Sequence, residues 1–485
     1  MSHLSSASRV NSVLLFGLLS IVMLVPRSVQ AQKNSPDIPV VSNVVAIQGA
    51  RIVQAPGRVI ESGTIVFRDG VIESVGRRVD IPYDAQIIDG DSLTVYAGLI
   101  DVLSNVAVPA PASPTQRGPG QQQQATNRAF PTFERAGITP EKDVRPLLDP
   151  SDKSVEAHRN LGFTTVVTVP HGRMLPGTAS IALLSGSDAA AMVVQGEQPV
   201  VFEYQGARGV YPGTPMAMMS KFRQLFREAD RRMKVQAMYD DDPTGMTLPP
   251  YDAVHGTFGS IINRDKRVFA FTRDALEVHR TLSLQSELGF DLVLTGLSGG
   301  FDTVDKVAAA DAGVALTLNV PDKPEWAAEV GKDSLDQILA AFDEETRTAT
   351  FRDVEAERRN LEAKQLQSRA RYVSMPAQYA DAGVSFAFTS YGMEAKDVTS
   401  SVREYVGAGL SRDDMLAAFT THAADLLGLS GFMGSLDEGK MANLVVTNGD
   451  LFAEKTKVRY VFVDGSKYEI ASAKGGNGPN GRRGR

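Results

Sequence analysis

From Asn43 to Leu99 the apolar positions fall in short alternating or continuous runs separated by tight turns. NVVAIQGARIVQ, GTIVFRDGVIESVG and AQIIDGDSLTVY each pair such runs with Gly or Asp-Gly turns, the pattern of strands joined as hairpins. In FRDGVIESVG the turn Arg68-Asp69-Gly70 lies between Ile65-Val66-Phe67 and Val71-Ile72. The same texture returns near the other end, in MANLVVTNGDLF and KVRYVFVDGSKYEI, with Asn448-Gly449 and Asp464-Gly465 at the turns. Two β-rich ends around a different middle predict one small sheet domain composed from both.

The middle alternates on a longer period. FTTVVTV (163–169), RVFAFT (267–272), DLVLTG (291–296), GVALTLNV (313–320) and GVSFAFTS (383–390) are strand-like. Between them lie amphipathic stretches: SVEAHRNLG, MSKFRQLFREADRRMK, TRDALEVHRTLSLQSELG and TVDKVAAADAG. In the second, Met219, Phe222, Leu225 and Phe226 share one helical face. Strand, helix, strand is the βαβ signature of a parallel sheet or barrel. The space holds about eight such units, so the expected fold class is α/β, a (β/α)8 TIM barrel with a small composite β-sandwich. A doubly wound open sheet is the competing architecture, weakened by the lack of a Gly-rich phosphate loop.

Composition changes this picture little. The 485 residues are 43% hydrophobic and 22% charged, as in an ordinary globular protein. A net charge of −7 gives no support to a nucleic-acid partner. Absence of cysteine excludes disulfides, thiolate ligands and a cysteine nucleophile. The start is more informative. MSHLSSASR, then the apolar VNSVLLFGLLSIVMLV, then SVQA ending at Ala31, has the layout of a secretory signal. Cleavage there predicts export to a bacterial periplasm or medium, and an uncleaved start anchor is the other reading. PAPASPTQRGPGQQQQATNRAF (109–130) reads as a mobile loop, either a lid or disordered. Residues 343–372 read as a charge-laced outer helix, and the tail AKGGNGPNGRRGR as a disordered basic end.

With these elements placed, the chain resembles the amidohydrolase superfamily, and more closely its imidazolonepropionase-like branch. The first hairpins followed by GLID look like that family's opening, with Ala97 in place of its usual proline. THAADLLGL followed by GSLDEGKMANLVV looks like its closing helix and end motif, with Asn443 where Asp is usual. The resemblance covers nearly all of the chain after the signal. It implies a metal-dependent hydrolase fold acting on carbon–nitrogen bonds other than peptide bonds. The division expected from it is signal peptide 1–31, β-sandwich 32–97, TIM barrel 98–433, the rest of the sandwich 434–470, and tail 471–485.

In active relatives the first barrel strand ends in D-x-H-x-H. Residues two apart on a strand face one way, so both imidazoles converge on one ion. Here Asp101 is present, but the histidine positions hold Leu103 and Asn105. Leucine has no lone pair, and Asn offers only a neutral oxygen. Further ligand histidines are expected near Thr272 and Gly296, and a late aspartate at Tyr391. No catalytic metal is therefore expected, although the family implies zinc or another divalent ion.

The six histidines are few: His3, His158, His171, His255, His279 and His422. His158 and His279 lie in amphipathic helices and are expected on the outside of a barrel. His422 is expected to make a structural hydrogen bond, and His255 is unplaced. His171 directly follows FTTVVTV, at the strand end where barrel active sites are built. A metal-free site could combine it with Asp101 or Ser104 as base, orienter and nucleophile; an ordinary loop histidine is the bland reading. Three carboxylates in MYDDDPTG read as a solvated acidic turn rather than a calcium loop. Lys234 and Lys266 fall near possible strand starts, with no histidines beside them for a bridging lysine to serve.

The expectation is an exported protein of amidohydrolase fold with its metal site lost. It would bind a small ligand in the old mouth, or serve as subunit to an intact relative or a homo-oligomer. The alternative is an active hydrolase of an amide or cyclic amide, using metal-free residues or an ion held elsewhere.

Overall fold

The computed structural model describes residues 43–110, 127–186, 188–194, 198–324 and 349–470. The expected signal peptide, residues 111–126 of the Pro-Gly-Gln segment, and the tail lie outside these. Five strands open the described chain: β1 (Val44–Ala55), β2 (Arg58–Arg68), β3 (Val71–Gly76), β4 (Gln86–Asp89) and β5 (Thr94–Ala97). The β2–β3 turn has Asp69 at φ 49° and Gly70 at φ 81°, the left-handed pair that a tight hairpin needs and that Asp-Gly supplies at low strain.

The middle of the chain supplies eight strands. They are β6 (Leu99–Ser104), β7 (Phe163–Thr168), β8 (Ser180–Leu183), β9 (Val200–Glu203), β10 (Val268–Phe271), β11 (Leu292–Leu297), β12 (Ala312–Thr317) and β13 (Ala387–Thr389). β9 to β13 form one parallel sheet in sequence order, and β6 pairs parallel with β7. β8 departs from the all-parallel expectation by running antiparallel to β7, from Thr165↔Leu183 to Thr168↔Ser180. The physical reason is the connection, which is too short for the helical crossover that a parallel neighbour requires. The segment entering β8 also bonds to β9, with Ala179 N–H on the Pro199 carbonyl at 2.8 Å and Glu203 N–H on the Met174 carbonyl at 2.8 Å. On the far side β13 meets β6. The arrangement is a mixed α/β, barrel-like wall.

Period two divides each wall strand between two cores. Leu103, Val167, Ile181, Val201, Phe269, Val293, Ala315 and Ala387, one from each strand, share an inner cluster. Phe163, Phe202, Ala270, Leu294, Leu316 and Phe388 belong to an outer cluster with the helices. Those helices are α1 (Phe133–Ala136), α2 (Lys153–Asn160), α3 (Ala189–Met192), α4 (Pro215–Asp241), α5 (Ala253–Ile262), α6 (Ala275–Leu288) and α7 (Val304–Ala308), followed by Ala349–Asp381, Ala395–Gly407, Arg412–Phe419 and Thr421–Leu426. α4 starts with Thr214 capping the Ala217 N–H and Pro215 in the first turn, where a missing N–H costs nothing. It buries Met218, Phe222, Leu225, Phe226 and Ala229, so the apolar face read from the sequence is the one that packs. Lys234 lies inside this helix, on Asp230 at 2.7 Å, and not at a strand start. The acidic stretch Asp240–Asp242 is the end of the same helix.

The chain ends in β14 (Leu444–Thr447), β15 (Val458–Val463) and β16 (Ser466–Glu469). β14 pairs with β5, from Leu444↔Ala97 to Thr447↔Thr94, so both ends of the chain build one sheet. Its order is β16-β15-β14-β5-β1-β2-β3, with β4 on the first half of β1. β1 carries register shifts between Gln48 and Ala50 and between Ala50 and Ile52. Such bulges bend a strand, and the sheet folds onto itself around Phe67 of β2 and Phe462 of β15, whose rings cross at 5.1 Å. The two Asp-Gly turns also meet: a side chain at Gly70 would strike Asp464, and one at Gly465 would strike Gly70. Both phenylalanines are fully buried. Phe462→Ala is expected to cost about 3–5 kcal/mol, and Phe462→Leu about 1 kcal/mol, read as the shift in the urea unfolding midpoint.

Candidate functional site: the C-terminal mouth of the strand wall

Barrel enzymes react at the C-terminal ends of their strands, and here that layer can be read residue by residue. Glu203, Phe271 and Thr295 stand side by side across β9, β10 and β11. Each lies two positions beyond an inner-cluster residue, Val201, Phe269 or Val293, and so shares its inward face. Tyr391, just past β13, donates its phenol proton to Glu203 Oε1 at 2.6 Å. The Phe271 and Tyr391 rings meet edge to face at 5.2 Å. Glu203 is 5% exposed. Burial raises its carboxyl pKa, against the opposing pull of the Tyr391 hydrogen bond and of Arg273 and Arg173. Burial and the neighbouring Glu203 together push the Tyr391 phenol upward, so it stays a donor.

The positions that the resemblance assigns to metal ligands are spent on other contacts. Leu103 is fully buried in the inner cluster. Asn105 donates its amide to the Val169 carbonyl at 2.8 Å. Thr272 turns back on the Thr295 carbonyl at 3.4 Å. Gly296 has φ 67°, and any Cβ there would overlap the Phe271 ring. Tyr391 is engaged with Glu203. Among the described residues no three His, Asp or Glu side chains converge as metal ligands. This donor set does not fit a divalent ion: one carboxylate, already hydrogen-bonded, faces a leucine, a phenylalanine and a phenol.

The proposed base, orienter and nucleophile are not brought together. Ser104 donates to the Val167 carbonyl at 3.4 Å and accepts the Val106 N–H at 3.3 Å. His171 donates from Nε2 to the Val108 carbonyl at 3.1 Å. Asp101 has other partners: its Oδ1 accepts the N–H of Leu103 at 3.2 Å and of Ser390 at 3.1 Å, and its Oδ2 bonds the Ser390 hydroxyl. Ser390 in turn meets His158 Nε2 at 3.3 Å. His158, expected on the outside, is 4% exposed and faces the wall. The signal was in α2, where Val155 and His158 share one buried face. His279 is half-buried beside Lys306 at 3.4 Å. His255 bonds Glu228 at 3.0 Å. His422 Nδ1 is buried without a partner, so the structural bond expected of it is not made there. Glu203 was not singled out from the sequence. PVVFEYQG, a short apolar run ending in a carboxylate, carried the signal.

Proton counting leaves two states for the Asp101 chain. His158 Nδ1 must donate to the Ser154 carbonyl, 3.0 Å away, because a carbonyl only accepts. A neutral imidazole then accepts at Nε2, which consumes the one Ser390 proton. In that state Asp101 is protonated and donates to Ser390; with a charged imidazole, Nε2 would donate and Ser390 would give its proton to an ionised Asp101. Burial drives both ends the same way, raising the Asp101 pKa to about 7 and lowering that of His158.

An acid whose folded pKa is raised holds its proton while the unfolded chain has lost it, so stability falls as pH rises between the two values. For Asp101 that window runs from 3.8 to about 7, with a total on the order of 4 kcal/mol. His158 acts with the opposite sign below its ordinary value, so the useful quantity is a difference. Asp101→Asn mimics the protonated acid. Its unfolding free energy is expected to gain on wild type progressively from pH 4 to pH 7, measured by urea titration at each pH; parallel curves would refute the assignment.

The amidohydrolase family pattern matches residues 373–467. A dihydroorotase from Anaeromyxobacter dehalogenans strain 2CP-C is 26% identical over 168 residues, 35% of this chain and 31% of that protein. The match thus spans less than a third of that relative. An amidohydrolase from Thermotoga maritima MSB8 superposes with a TM-score of 0.67 at 17% identity, over 88% of this chain and 100% of the other. A prolidase crystallised with N-methylphosphonate-L-proline gives 0.50 at 17%, over 88% and 100%. At such identities the superpositions speak for the fold. This chain thus has the fold of the amidohydrolases it superposes on, and its closing segment, residues 373–467, matches the amidohydrolase family pattern.

Proposed function

We propose that this protein is an exported, non-catalytic amidohydrolase homologue that holds no catalytic metal and binds a small ligand at the strand-end mouth. The carrying observation is the Tyr391–Glu203 hydrogen bond with the Phe271 ring beside it. It commits the inward carboxylate of the β9–β11 layer to a phenol, with an aromatic ring packed against that phenol. Supporting it, each position implied for a ligand carries a side chain with another task, or none. Placement in the imidazolonepropionase-like branch rests on the end motifs GLID and GSLDEGKMANLVV. The domain division proposed with it is a TIM barrel over 98–433 and a composite β-sandwich from 32–97 and 434–470. Export rests on the signal-like start.

The competing reading, a metal-free hydrolase of an amide or cyclic amide, gains no support from its named candidates, because no hydrogen bond joins His171 to Ser104 or Asp101. Ser104 and Ser390 both hydrogen-bond within the fold, and His171 is tied to a backbone carbonyl. A subunit role beside an intact relative is compatible with the same mouth, and co-purification from native extract tests it. Elemental analysis of chain purified without chelators, with zinc and manganese supplied, is expected to give far less than one ion per chain. Near-stoichiometric metal, or turnover of amides that chelators abolish, would defeat this reading.

A further inference from the structure

Beside the mouth, at the end of β7, lies an open cleft of about 980 Å³ built from three loops. Arg135 and Lys142 enter it from the α1 region, Arg173 from the turn after β7, and Arg208 from the segment after β9. All four are exposed. Among the described residues none of the four makes an ion pair with a carboxylate; Arg135 reaches the Arg208 carbonyl, at 3.5 Å. Glu134 and Glu141 also line the cleft, so four cations stand against two carboxylates in a chain whose net charge is −7. A concave site of one sign focuses the field and raises the local concentration of the opposite ion.

Two further features connect this cleft to the mouth. Arg173 acts electrostatically on both Glu203 and Tyr391, so its charge reaches the mouth. Its place is fixed by the fold. Gly137, at φ 74°, has no room for a side chain because Arg173 Cβ lies against it, and Gly172 is likewise closed by Pro176. His171 lines the same cleft and donates from Nε2 to Val108, which leaves Nδ1 as an acceptor for a ligand hydroxyl or amide.

We propose that the cleft binds the acidic group of a small organic anion, a carboxylate or phosphate. Arg173 and Arg208 are its main contacts, and Arg135 and Lys142 add charge. Guanidinium forks suit these planar or tetrahedral oxyanions, and the cleft has the size of a small-molecule site.

The test is isothermal titration of the full exported chain at fixed ionic strength with succinate, inorganic phosphate and uncharged succinamide. Saturable binding of succinate or phosphate, absent with succinamide, is expected, and the preferred anion identifies the acidic group. Arg173→Ala and Arg208→Ala should each weaken it about tenfold, while Lys234→Ala on α4 leaves it unchanged. Both arginines are exposed, so folding is not at stake. No binding, or binding equal in all variants, would overturn the proposal. Metal analysis of the same sample separates the two readings: metal-free protein that ignores both anions defeats only the anion site. Metal-loaded protein whose binding still depends on Arg173 and Arg208 defeats only the metal-free mouth.

Discussion

The strand wall depends on how its first and last strands are joined. β6 and β13 share no backbone ladder. They are held by side chains: Thr389 donates to the Leu103 carbonyl at 2.6 Å, and Asp101 accepts the N–H of Ser390 and shares a hydrogen bond with its hydroxyl. A seam of this kind is strong only if every polar group in it is satisfied, since an unpaired buried carboxyl is costly. That explains why an aspartate stands at 101 in a chain with no histidines two and four positions on. Its task is joining strands. His158 completes the seam by linking α2 to Ser390, so the helix layer is tied to the same point.

Much of the architecture was written in local pattern. The Asp-Gly turns at 69–70 and 464–465 are the hairpins they look like, and the apolar face of α4 is the buried one. What the pattern did not carry was β8 and β9. Each is four residues long, too short for alternation to stand out, and the reversal of β8 follows from the length of a connection rather than from any residue type. The pairing of β14 with β5 depends on contacts between residues some 350 positions apart, as at Thr447 and Thr94. Only the likeness of the two ends hinted at it.

The residue types at the strand ends were legible; their partners were not. Leu103, Asn105, Gly296 and Tyr391 could be weighed as metal ligands from residue chemistry alone. The contacts they make instead could not be read. Glu203 and Tyr391 lie on strands far apart in sequence, and their bond is a product of the wall. His158 lies in a helix of the outer layer, and its side chain turns inward on the same face as Val155. Which face of a short polar helix packs was not drawn from the sequence.

One feature bears on the history open to this fold. At position 296 the backbone sits in the left-handed region and the Phe271 ring occupies the space a Cβ would take. A histidine could not return there by a single substitution, because Phe271 must first shrink and the backbone must relax. Shrinking Phe271 alone would expose the buried Glu203–Tyr391 pair to a void. Residues 271, 296, 203 and 391 are thus coupled, and a side chain larger than glycine at 296 is disfavoured until its neighbours change as well.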